Sequence, residues 1–144
     1  MEFNIRPLND TDYKEVLVGW WRDWKWTPPL PSFLQDNGKG GIMVLDKDTP
    51  VCAGFIYMTN SQVAWVDWII SNKDYKKKPQ RQEALTLLIK TLTKICKDSG
   101  KKFSYALLKN KSLIKTYENL GYTAAELLTR NDKTIITWQQ QQQS

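Results

Sequence analysis

The fold of this chain is decided by one stretch, Asn110-Lys-Ser-Leu-Ile-Lys-Thr-Tyr117-Glu118-Asn119-Leu120-Gly121-Tyr122. The stretch predicts a short helix over Lys111–Asn119, and Asn110 is of the residue type that caps a helix N-terminus. Just before it, the apolar run Phe103–Leu108 predicts a strand. The stretch is therefore a strand-to-helix connection, and the rest of the fold is worked out on either side of it.

Hydrophobic periodicity and turn residues predict the remaining elements. The predicted helices are Thr11–Trp24, Gln80–Asp98 and Lys111–Asn119. The predicted strands are Phe3–Leu8, Ile42–Leu45, Val51–Met58, Val63–Ile70, Phe103–Leu108, Tyr122–Leu128 and Thr134–Trp138. The strand–helix–strand unit from Val63 to Leu108 implies one parallel pair with a right-handed crossover, in a sheet that is otherwise antiparallel. The predicted fold class is α/β (α+β), with a mixed, mostly antiparallel central sheet and helices on both faces.

The composition is that of a globular protein, with 144 residues, 41% of them hydrophobic and 25% charged. We expect one domain over residues 1–138 and a disordered Gln-rich tail over residues 139–144. No apolar run reaches the length that a membrane span needs, and the N-terminus does not read as a signal peptide. A cytoplasmic location is therefore expected.

The chain contains no histidine, which excludes Ser-His and Cys-His nucleophile pairs and His-ligated zinc. Its two cysteines, Cys52 and Cys96, lie in separate apolar stretches, so we expect buried packing residues and no metal site. Any catalysis would use carboxylates, hydroxyls, phenols, lysines or main-chain groups.

Charge is unevenly distributed along the chain. From Lys73 to Lys115 there are thirteen Lys and Arg against three Asp and Glu, a balance of +10, while the remaining residues carry eight basic and twelve acidic side chains, a balance of −4. This segment is either a solvated basic face or a surface that binds something polyanionic, a nucleotide cofactor or nucleic acid.

The order of elements, taken with the spacing from Asn110 to Tyr117 and on to Gly121-Tyr122, resembles the GCN5-related N-acetyltransferase (GNAT) superfamily. Members commonly carry an Asn, then a Tyr-Glu seven residues later, then Leu-Gly-Phe or Leu-Gly-Tyr. The opening Ile5-Arg6-Pro7-Leu8-Asn9-Asp10-Thr11-Asp12-Tyr13 is similar to the first strand and helix cap of that superfamily. The resemblance covers about residues 3–138, and the Trp- and Pro-rich front end also resembles small phage-encoded acetyltransferase-like proteins.

The resemblance implies that acetyl-CoA binds between the fourth and fifth strands, where they splay apart. The amides of Ile69 and Ile70 would then hold the thioester end, with Ser71 and Asn110 near the cofactor. The pyrophosphate would lie at the start of the long helix, because a helix N-terminus offers free amides and a positive dipole end. Basic and polar side chains beside that turn complete the implied cofactor set: Lys76, Lys77, Lys78, Arg81 and Gln82.

The turn departs from the pattern of the superfamily in one respect. Relatives usually show Arg/Gln-x-x-Gly-x-Gly/Ala there, but the stretch from Tyr75 to Ala84 contains no glycine. Gln82 falls on the first glycine position and Ala84 on the last small position. The lysines would compensate for the missing glycines by charge, but not by letting the main chain approach the phosphates more closely.

Two residues are candidates for the chemistry of acyl transfer, which needs a base for the amine and an acid for the departing thiolate. Asp67 is a lone carboxylate in an apolar strand and matches the place where relatives often carry a Glu base. Tyr117 matches the tyrosine that often supplies the acid. Each also has a structural interpretation, as a hydrogen-bonded strand carboxylate and as a packed helix tyrosine.

Four tryptophans lie close together near the front of the chain. Trp20 and Trp24 share a helix face and are expected to pack in the core, whereas Trp21 and Trp26 are candidates to line an acceptor slot by stacking or cation–π attraction.

The first functional hypothesis is an N-acetyltransferase that moves the acetyl group directly from acetyl-CoA to a small-molecule or protein amine. The alternatives are a phage-type enzyme that modifies nucleic-acid bases, using the basic segment 73–115, and a non-catalytic binding module on the same fold. No membrane partner is expected, and a homodimer is a further expectation because dimers are common in the superfamily.

Overall fold

The structure is a computed structural model, and it describes residues 3–124 and 134–139. These residues divide into two compact units. The first comprises residues 3–55 and 68–88, and the second comprises residues 56–67 and the described residues from 89 onward.

The described strands form one seven-stranded sheet in the order β1-β2-β3-β4-β5-β7-β6. Their bounds are β1 Phe3–Pro7, β2 Ile42–Asp46, β3 Thr49–Met58, β4 Val63–Ser71, β5 Phe103–Leu108, β6 Thr123–Ala124 and β7 Thr134–Gln139. Strand β1 pairs antiparallel with β2, and β2 pairs antiparallel with β3, whereas β4 and β5 are parallel. Strand β7 is antiparallel to both β5 and β6. The mixed sheet with one parallel β-α-β unit is the predicted fold class, which is confirmed.

In the first unit, β1 is followed by a helical turn of π geometry, Tyr13–Leu17, which runs directly into α1, Val18–Asp23. Asn9 Oδ1 accepts the amides of Thr11 and Asp12 just before this turn, whereas Asp12 at its N-cap makes no side-chain capping bond. The carboxylate of Asp12 instead forms a bidentate ion pair with the guanidinium of Arg6, with N···O distances of 2.7 and 3.0 Å. The core of this unit is formed by side chains from the residue after β1, the helical turn, α1, β2, β3 and β4, among them Leu8, Leu17, Trp20, Trp21, Met43, Phe55 and Ile70.

Helix α2, Lys78–Asp98, continues from the first unit into the second. It ends where expected, since Gly100 has a left-handed φ of 85° and its amide bonds Lys97 O at 3.0 Å. In the second unit the apolar stripe of α2 buries Ile89, Leu92 and Cys96. Cys96 is a buried free thiol whose pKa burial raises to about 11, and Cys52 is likewise buried and free, so both predicted packing roles are confirmed.

The predicted elements agree with the observed ones to within about two residues at most ends. Helix α3, Lys111–Asn119, and β5 have the predicted bounds, while α2 begins at Lys78 rather than Gln80. The strand predicted over Tyr122–Leu128 is observed as Thr123–Ala124, and its remainder lies outside the described residues. Gln139 belongs to β7, and the rest of the predicted tail also lies outside them. Within the described part of the chain, no helix is long and apolar enough to cross a membrane.

Candidate active site

The parallel ladder between β4 and β5 covers only the beginning of the two strands. It pairs Val63 with Phe103, Ala64 with Ser104 and Trp65 with Tyr105. Strand β4 nevertheless continues to Ser71 and β5 to Leu108. Main-chain groups just beyond the last pair therefore need other partners, since a half-buried amide or carbonyl without one is costly.

Asp67 supplies one of these partners. Its Oδ2 accepts the main-chain amide of Leu107 at 3.0 Å. The carboxylate of β4 thus takes the place of a main-chain acceptor on the amide of β5. The lone charge in this apolar strand has a structural bond, and that bond holds the carboxylate at the point where the ladder ends.

Tyr117 supplies the other partner. Its ring is 0% exposed, and its hydroxyl donates to the carbonyl oxygen of Val66 at 2.8 Å. Burial raises the pKa of Tyr117 well above its usual value, and the negative charge of Asp67 and the phenol of Tyr122 raise it further. The phenol therefore keeps its proton throughout the neutral range. The two predicted catalytic side chains are thus both anchored within two residues of the end of the ladder.

The motif around Tyr117 is a helix with a cap at each end. The side chain of Asn110 accepts the amide of Leu113 at 3.0 Å, which confirms the predicted N-cap. At the other end the amide of Gly121 bonds Glu118 O at 3.0 Å and the amide of Tyr122 bonds Tyr117 O at 3.2 Å, with Gly121 at a φ of 100°. This is a Schellman arrangement, and the rings of Tyr117 and Tyr122 close it with an edge contact at 4.9 Å.

The residues expected to hold the thioester end lie in the part of β4 that belongs to the first unit. Ile69 and Ile70 have buried side chains, and Ser71 O accepts the indole Nε1 proton of Trp24 at 2.8 Å. Trp68 just before them has a left-handed φ of 55°, which is strained for a bulky residue. The strand therefore deviates locally from regular β geometry at the residue that follows Asp67.

The loop that follows β4 is fixed by hydrogen bonds at both Asn72 and Tyr75. The Asn72 amide bonds Val51 O at 2.7 Å, and its side chain donates to Pro50 O and accepts the amide of Asp74. Tyr75 is buried, and its hydroxyl donates to Asp46 Oδ2 at 2.7 Å. The backbone is therefore fixed at Tyr75, immediately before the basic residues Lys76, Lys77 and Lys78.

These basic residues surround the first turn of α2. Lys76, Lys77 and Lys78 are exposed, as is Gln82, while Arg81 is half-buried and donates to Tyr75 O at 3.2 Å. The Arg81 amide bonds Lys77 O at 2.8 Å, so the turn is regular helix. Of the earlier helix residues only Lys78 and Gln80 have an N–H, because Pro79 has none, and these two have no carbonyl one turn back within the helix. The long exposed side chains leave that turn open to solvent. Free amides next to three lysines fit a pyrophosphate, even though no glycine is present.

The structure separates the two tryptophans that were expected at an acceptor wall. Trp21 is 2% exposed and packs in the core of the first unit, so its placement there does not suit contact with an acceptor. Trp26 is 47% exposed, and its ring stacks on Trp24 at 6.1 Å with an interplanar angle of 26°. Of the pair, Trp26 alone presents a ring to solvent.

Two residues of interest were missed by the sequence analysis. Lys73 Nζ lies 5.2 Å from the centroid of the Trp24 ring, and Arg81 Cζ lies 5.8 Å from it. The Trp24 indole therefore makes cation–π contacts with two side chains near the start of α2. Tyr57 in β3 has a buried hydroxyl with no hydrogen-bond partner among the described residues. A lone tyrosine in the apolar run Val51–Met58 was the available signal for Tyr57. No sequence signal pairs Lys73 with Trp24.

Comparison with solved structures identifies the fold. The chain is similar to a PaiA N-acetyltransferase from Thermoplasma acidophilum in complex with coenzyme A, with a TM-score of 0.71 and 15% identity over 97% of this chain and 100% of that one. It is also similar to a GNAT superfamily phosphinothricin acetyltransferase from Sinorhizobium meliloti in complex with AcCoA, with a TM-score of 0.71 and 14% identity over 96% and 89%. A third is the ribosomal-protein-S18-alanine N-acetyltransferase from Escherichia coli, with a TM-score of 0.69 and 14% identity over 96% and 94%.

No protein-family model matches this sequence, and no curated protein sequence matches it. At such low identities the likeness establishes the fold, which is that of the GNAT superfamily of N-acetyltransferases. The structural neighbours are acetyltransferases, and two of those compared were solved with coenzyme A or its acetyl form.

Proposed function

We propose that this protein is an acyl-CoA-dependent N-acetyltransferase, which transfers an acetyl group directly from acetyl-CoA to an amine. The observation that carries the proposal is the likeness, over nearly the whole chain, to acetyltransferases that bind this cofactor. The early end of the β4–β5 ladder supports it, because it frees main-chain groups of both strands from pairing with each other.

In this proposal the turn at the start of α2 binds the cofactor phosphates. Free amides at the start of α2 receive the pyrophosphate, and Lys76, Lys77, Lys78 and Arg81 add positive charge around them. The amides of Ile69 and Ile70 hold the thioester end and polarise its carbonyl. Ser71, Gln82 and Asn110 are the remaining proposed cofactor contacts.

Two side chains, Asp67 and Tyr117, are proposed to move protons. When bound, acetyl-CoA supplies an acetyl group activated as a thioester. Asp67 takes a proton from the acceptor amine at its carboxylate, directly or through water. Tyr117 would hold at Oη the proton that a departing thiolate needs, provided that its hydroxyl released the Val66 carbonyl. Its raised pKa supports this role, because an acid must hold its proton until the bond breaks.

The acceptor is an amine, either a small molecule or a protein. Trp26 is the proposed acceptor contact, because its exposed indole offers a flat apolar face and attracts cations. A cytoplasmic location accompanies the proposal, since acetyl-CoA is used there.

The test is calorimetric titration of the purified protein with acetyl-CoA and, separately, with free CoA. Binding at about micromolar concentration, close to −8 kcal/mol, is the expected result for both. Absence of heat and of any thermal shift at about millimolar cofactor would contradict the proposal. Binding without acetyl transfer to any of a broad panel of amines would instead favour a non-catalytic module.

A second candidate function is the modification of nucleic-acid bases on the same fold. What favours it is the basic segment 73–115, in which many cations are exposed, including Lys76, Lys77, Lys78, Lys90 and Lys97. Such a surface would contact phosphates, and DNA binding should then weaken steeply as salt rises. No binding to DNA at low salt would remove this candidate.

A further inference from the structure

One indole in the first unit contacts two cations, and neither cation forms an ion pair in the described part of the chain. Lys73 Nζ lies 5.2 Å from the centroid of the Trp24 ring, and Arg81 Cζ lies 5.8 Å from it. The ion pairs found among the described residues involve other side chains. Two like charges gathered at one ring repel each other, and an anion that contacts both would offset this repulsion.

The orientation of the Trp24 indole is fixed by two contacts. Trp24 follows α1 directly, and its Nε1 proton is donated to Ser71 O, at the end of β4, at 2.8 Å. Trp26 stacks on its ring at 6.1 Å with an interplanar angle of 26°. Because a hydrogen bond and a stacked ring both orient the indole, the cations that contact it have a fixed support.

Both cations also donate to a main-chain carbonyl and have further N–H groups. Lys73 Nζ donates to Asp23 O, at the C-terminal end of α1, at 3.3 Å, and Arg81 Nη1 donates to Tyr75 O at 3.2 Å. An ammonium has three N–H donors and a guanidinium has five, so each retains donors for a ligand. Lys73 is exposed and Arg81 is half-buried, so a ligand can reach them from solvent.

Two neighbouring cations of this kind select a compact anion with more than one charge. A phosphate group has several acceptor oxygens and can carry two negative charges, so it can accept from an ammonium and a guanidinium at once. A single carboxylate carries one charge and therefore neutralises only one of the two cations. Arg81 lies in the first turn of α2, where the N-terminus of the helix favours the same kind of ligand.

We propose that Lys73 and Arg81 bind a phosphate group and that Trp24 is the positioning residue that holds the two cations together for it. The proposal rests on the function proposed above and deepens it, because Arg81 is already a cofactor contact there and Lys73 and Trp24 are added. The phosphate belongs to the cofactor or to a phosphorylated acceptor, since the two have the same chemistry at this point. Holding the cations in place before the ligand arrives reduces the side-chain entropy that binding costs.

The experiment uses the whole protein with 15N-labelled tryptophan and without acetyl-CoA, so that it does not depend on turnover. The chain has seven tryptophans, and Trp24→Phe identifies the indole N–H resonance of Trp24. Sodium pyrophosphate is the probe, and sodium chloride at the same ionic strength is its control. We expect a saturable shift of the Trp24 resonance with pyrophosphate and no comparable shift with chloride. An absent shift, or an equal shift with chloride, would overturn the proposal.

Lys73→Gln and Lys25→Gln form a matched pair of variants. Lys25 is exposed and follows Trp24 directly, but the described cation contacts of the Trp24 ring come from Lys73 and Arg81. Lys73→Gln should raise the Kd for pyrophosphate by about tenfold, because a charge-assisted hydrogen bond is lost, whereas Lys25→Gln should stay within about twofold of the wild type. Equal losses in the two variants would mean that the general positive charge binds the probe, and would overturn the assignment of Lys73.

The role of the Trp24 ring is tested by comparing Trp24→Phe with Trp24→Leu. Both variants lose the bond to Ser71 O, so they share any structural cost of that loss. Phenylalanine keeps an aromatic face for the cations and leucine does not. The Kd for pyrophosphate, measured by calorimetry, should therefore be about threefold higher in Trp24→Leu than in Trp24→Phe. Equal Kd values in the two variants would contradict the positioning role of the ring.

Coenzyme A distinguishes the two sources of the phosphate group. If saturating CoA shifts the Trp24 resonance and abolishes its response to pyrophosphate, the phosphate is that of the cofactor. If the response persists in the CoA-saturated protein, the site serves a phosphorylated acceptor. A protein that binds pyrophosphate at Trp24 but does not bind acetyl-CoA would lose the proposed transferase function and keep the phosphate site. A protein that binds acetyl-CoA, while pyrophosphate leaves Trp24 unaffected, would lose only the roles of Trp24 and Lys73.

Discussion

The hydroxyl of Tyr117 lies 2.8 Å from the carbonyl oxygen of Val66 and donates its proton to it. The bond joins α3 to β4 one residue beyond the last pair of the parallel ladder. Two residues beyond that pair, the carboxylate of Asp67 accepts the amide of Leu107. The two residues proposed for the chemistry are thus also the residues that keep the strand ends satisfied where the strands stop pairing.

Replacing Tyr117 by phenylalanine tests both roles together. The change leaves the Val66 carbonyl without its buried donor, so the free energy of unfolding should fall by about 1–3 kcal/mol. If Tyr117 is the acid, kcat should also fall by about 10²–10⁴. Chemical denaturation and steady-state kinetics measure the two effects. A stability loss with unchanged kcat would leave Tyr117 with the structural role alone.

Alkaline pH should destabilise the protein through its buried phenols. The pKa of Tyr117 is raised well above its usual value by burial, by Asp67 and by Tyr122, and burial raises that of Tyr122 to about 12. A phenol with a raised folded-state pKa contributes stability that is fully present below about pH 10, its unfolded value, and is lost as pH rises toward the folded value. Unfolding free energies should therefore decline above about pH 10. Tyr117→Phe should decline less steeply than the wild type, and equal slopes would contradict the argument.

Asp67 allows its structural bond to be separated from its charge. Asp67→Asn keeps an oxygen for the Leu107 amide, so stability should stay close to that of the wild type, whereas Asp67→Ala removes the acceptor and should cost about 1–3 kcal/mol. Both variants lose the base, so both should lose about 10²–10⁴ in kcat. Thermal unfolding beside kinetics distinguishes the cases, and an active Asp67→Asn protein would exclude Asp67 as the base.

Two Gly→Ala substitutions, one at the C-terminal cap of α3 and one inside α1, should change stability in opposite directions. Gly121 has a φ of 100° at the helix C-terminus, so Gly121→Ala should destabilise the fold by about 1–2 kcal/mol. Gly19 lies inside α1 with nothing within 4 Å of an added Cβ, so Gly19→Ala should stabilise it by about 0.5–1 kcal/mol. Denaturant titrations compare them. Equal effects would mean that the left-handed cap is unimportant.

Local patterns predicted the elements of this fold, because helix and strand periodicity and capping residues act over a few neighbours. The stretch from Asn110 to Tyr122 was the strongest signal, and the structure gives it a physical basis in two caps and one ring contact. The spacing from Asn110 to Tyr122 therefore predicts a capped helix more directly than it predicts acyl transfer. This explains why the motif predicted the fold well.

The details of the candidate site depend on contacts that periodicity does not encode. Trp20 and Trp21 are adjacent in sequence and both are buried, because the core of the first unit surrounds the helix more widely than one stripe. Trp24 stacks on Trp26 across Lys25, which has a left-handed φ of 64°, and Lys73 and Arg81 contact the Trp24 ring from the segment after β4. Among the described residues the buried hydroxyl of Tyr57 has no hydrogen-bond partner, and strand periodicity does not predict this.

The lysines at the start of α2 allow a test of whether positive charge supports CoA binding in the absence of the usual glycines. Changing Lys76, Lys77 and Lys78 together to Gln removes three exposed positive charges beside the free amides of the helix N-terminus. The dissociation constant for CoA should rise by about 10–100-fold, and its salt dependence should weaken, because fewer ionic contacts remain to be screened. Isothermal titration at two salt concentrations measures both effects.

The matched control for that variant changes Lys90, Lys97 and Lys102 to Gln. These three lysines are also exposed, so the control removes the same net charge from elsewhere on the protein. If affinity depends on the lysines next to the N-terminus of α2, the control should bind CoA within about twofold of the wild type, since charges beyond a Debye length are largely screened at moderate salt. Equal losses in the two triple variants would mean that the overall positive field attracts the cofactor. No loss in either would mean that the main-chain amides of α2 hold the phosphates without the lysines.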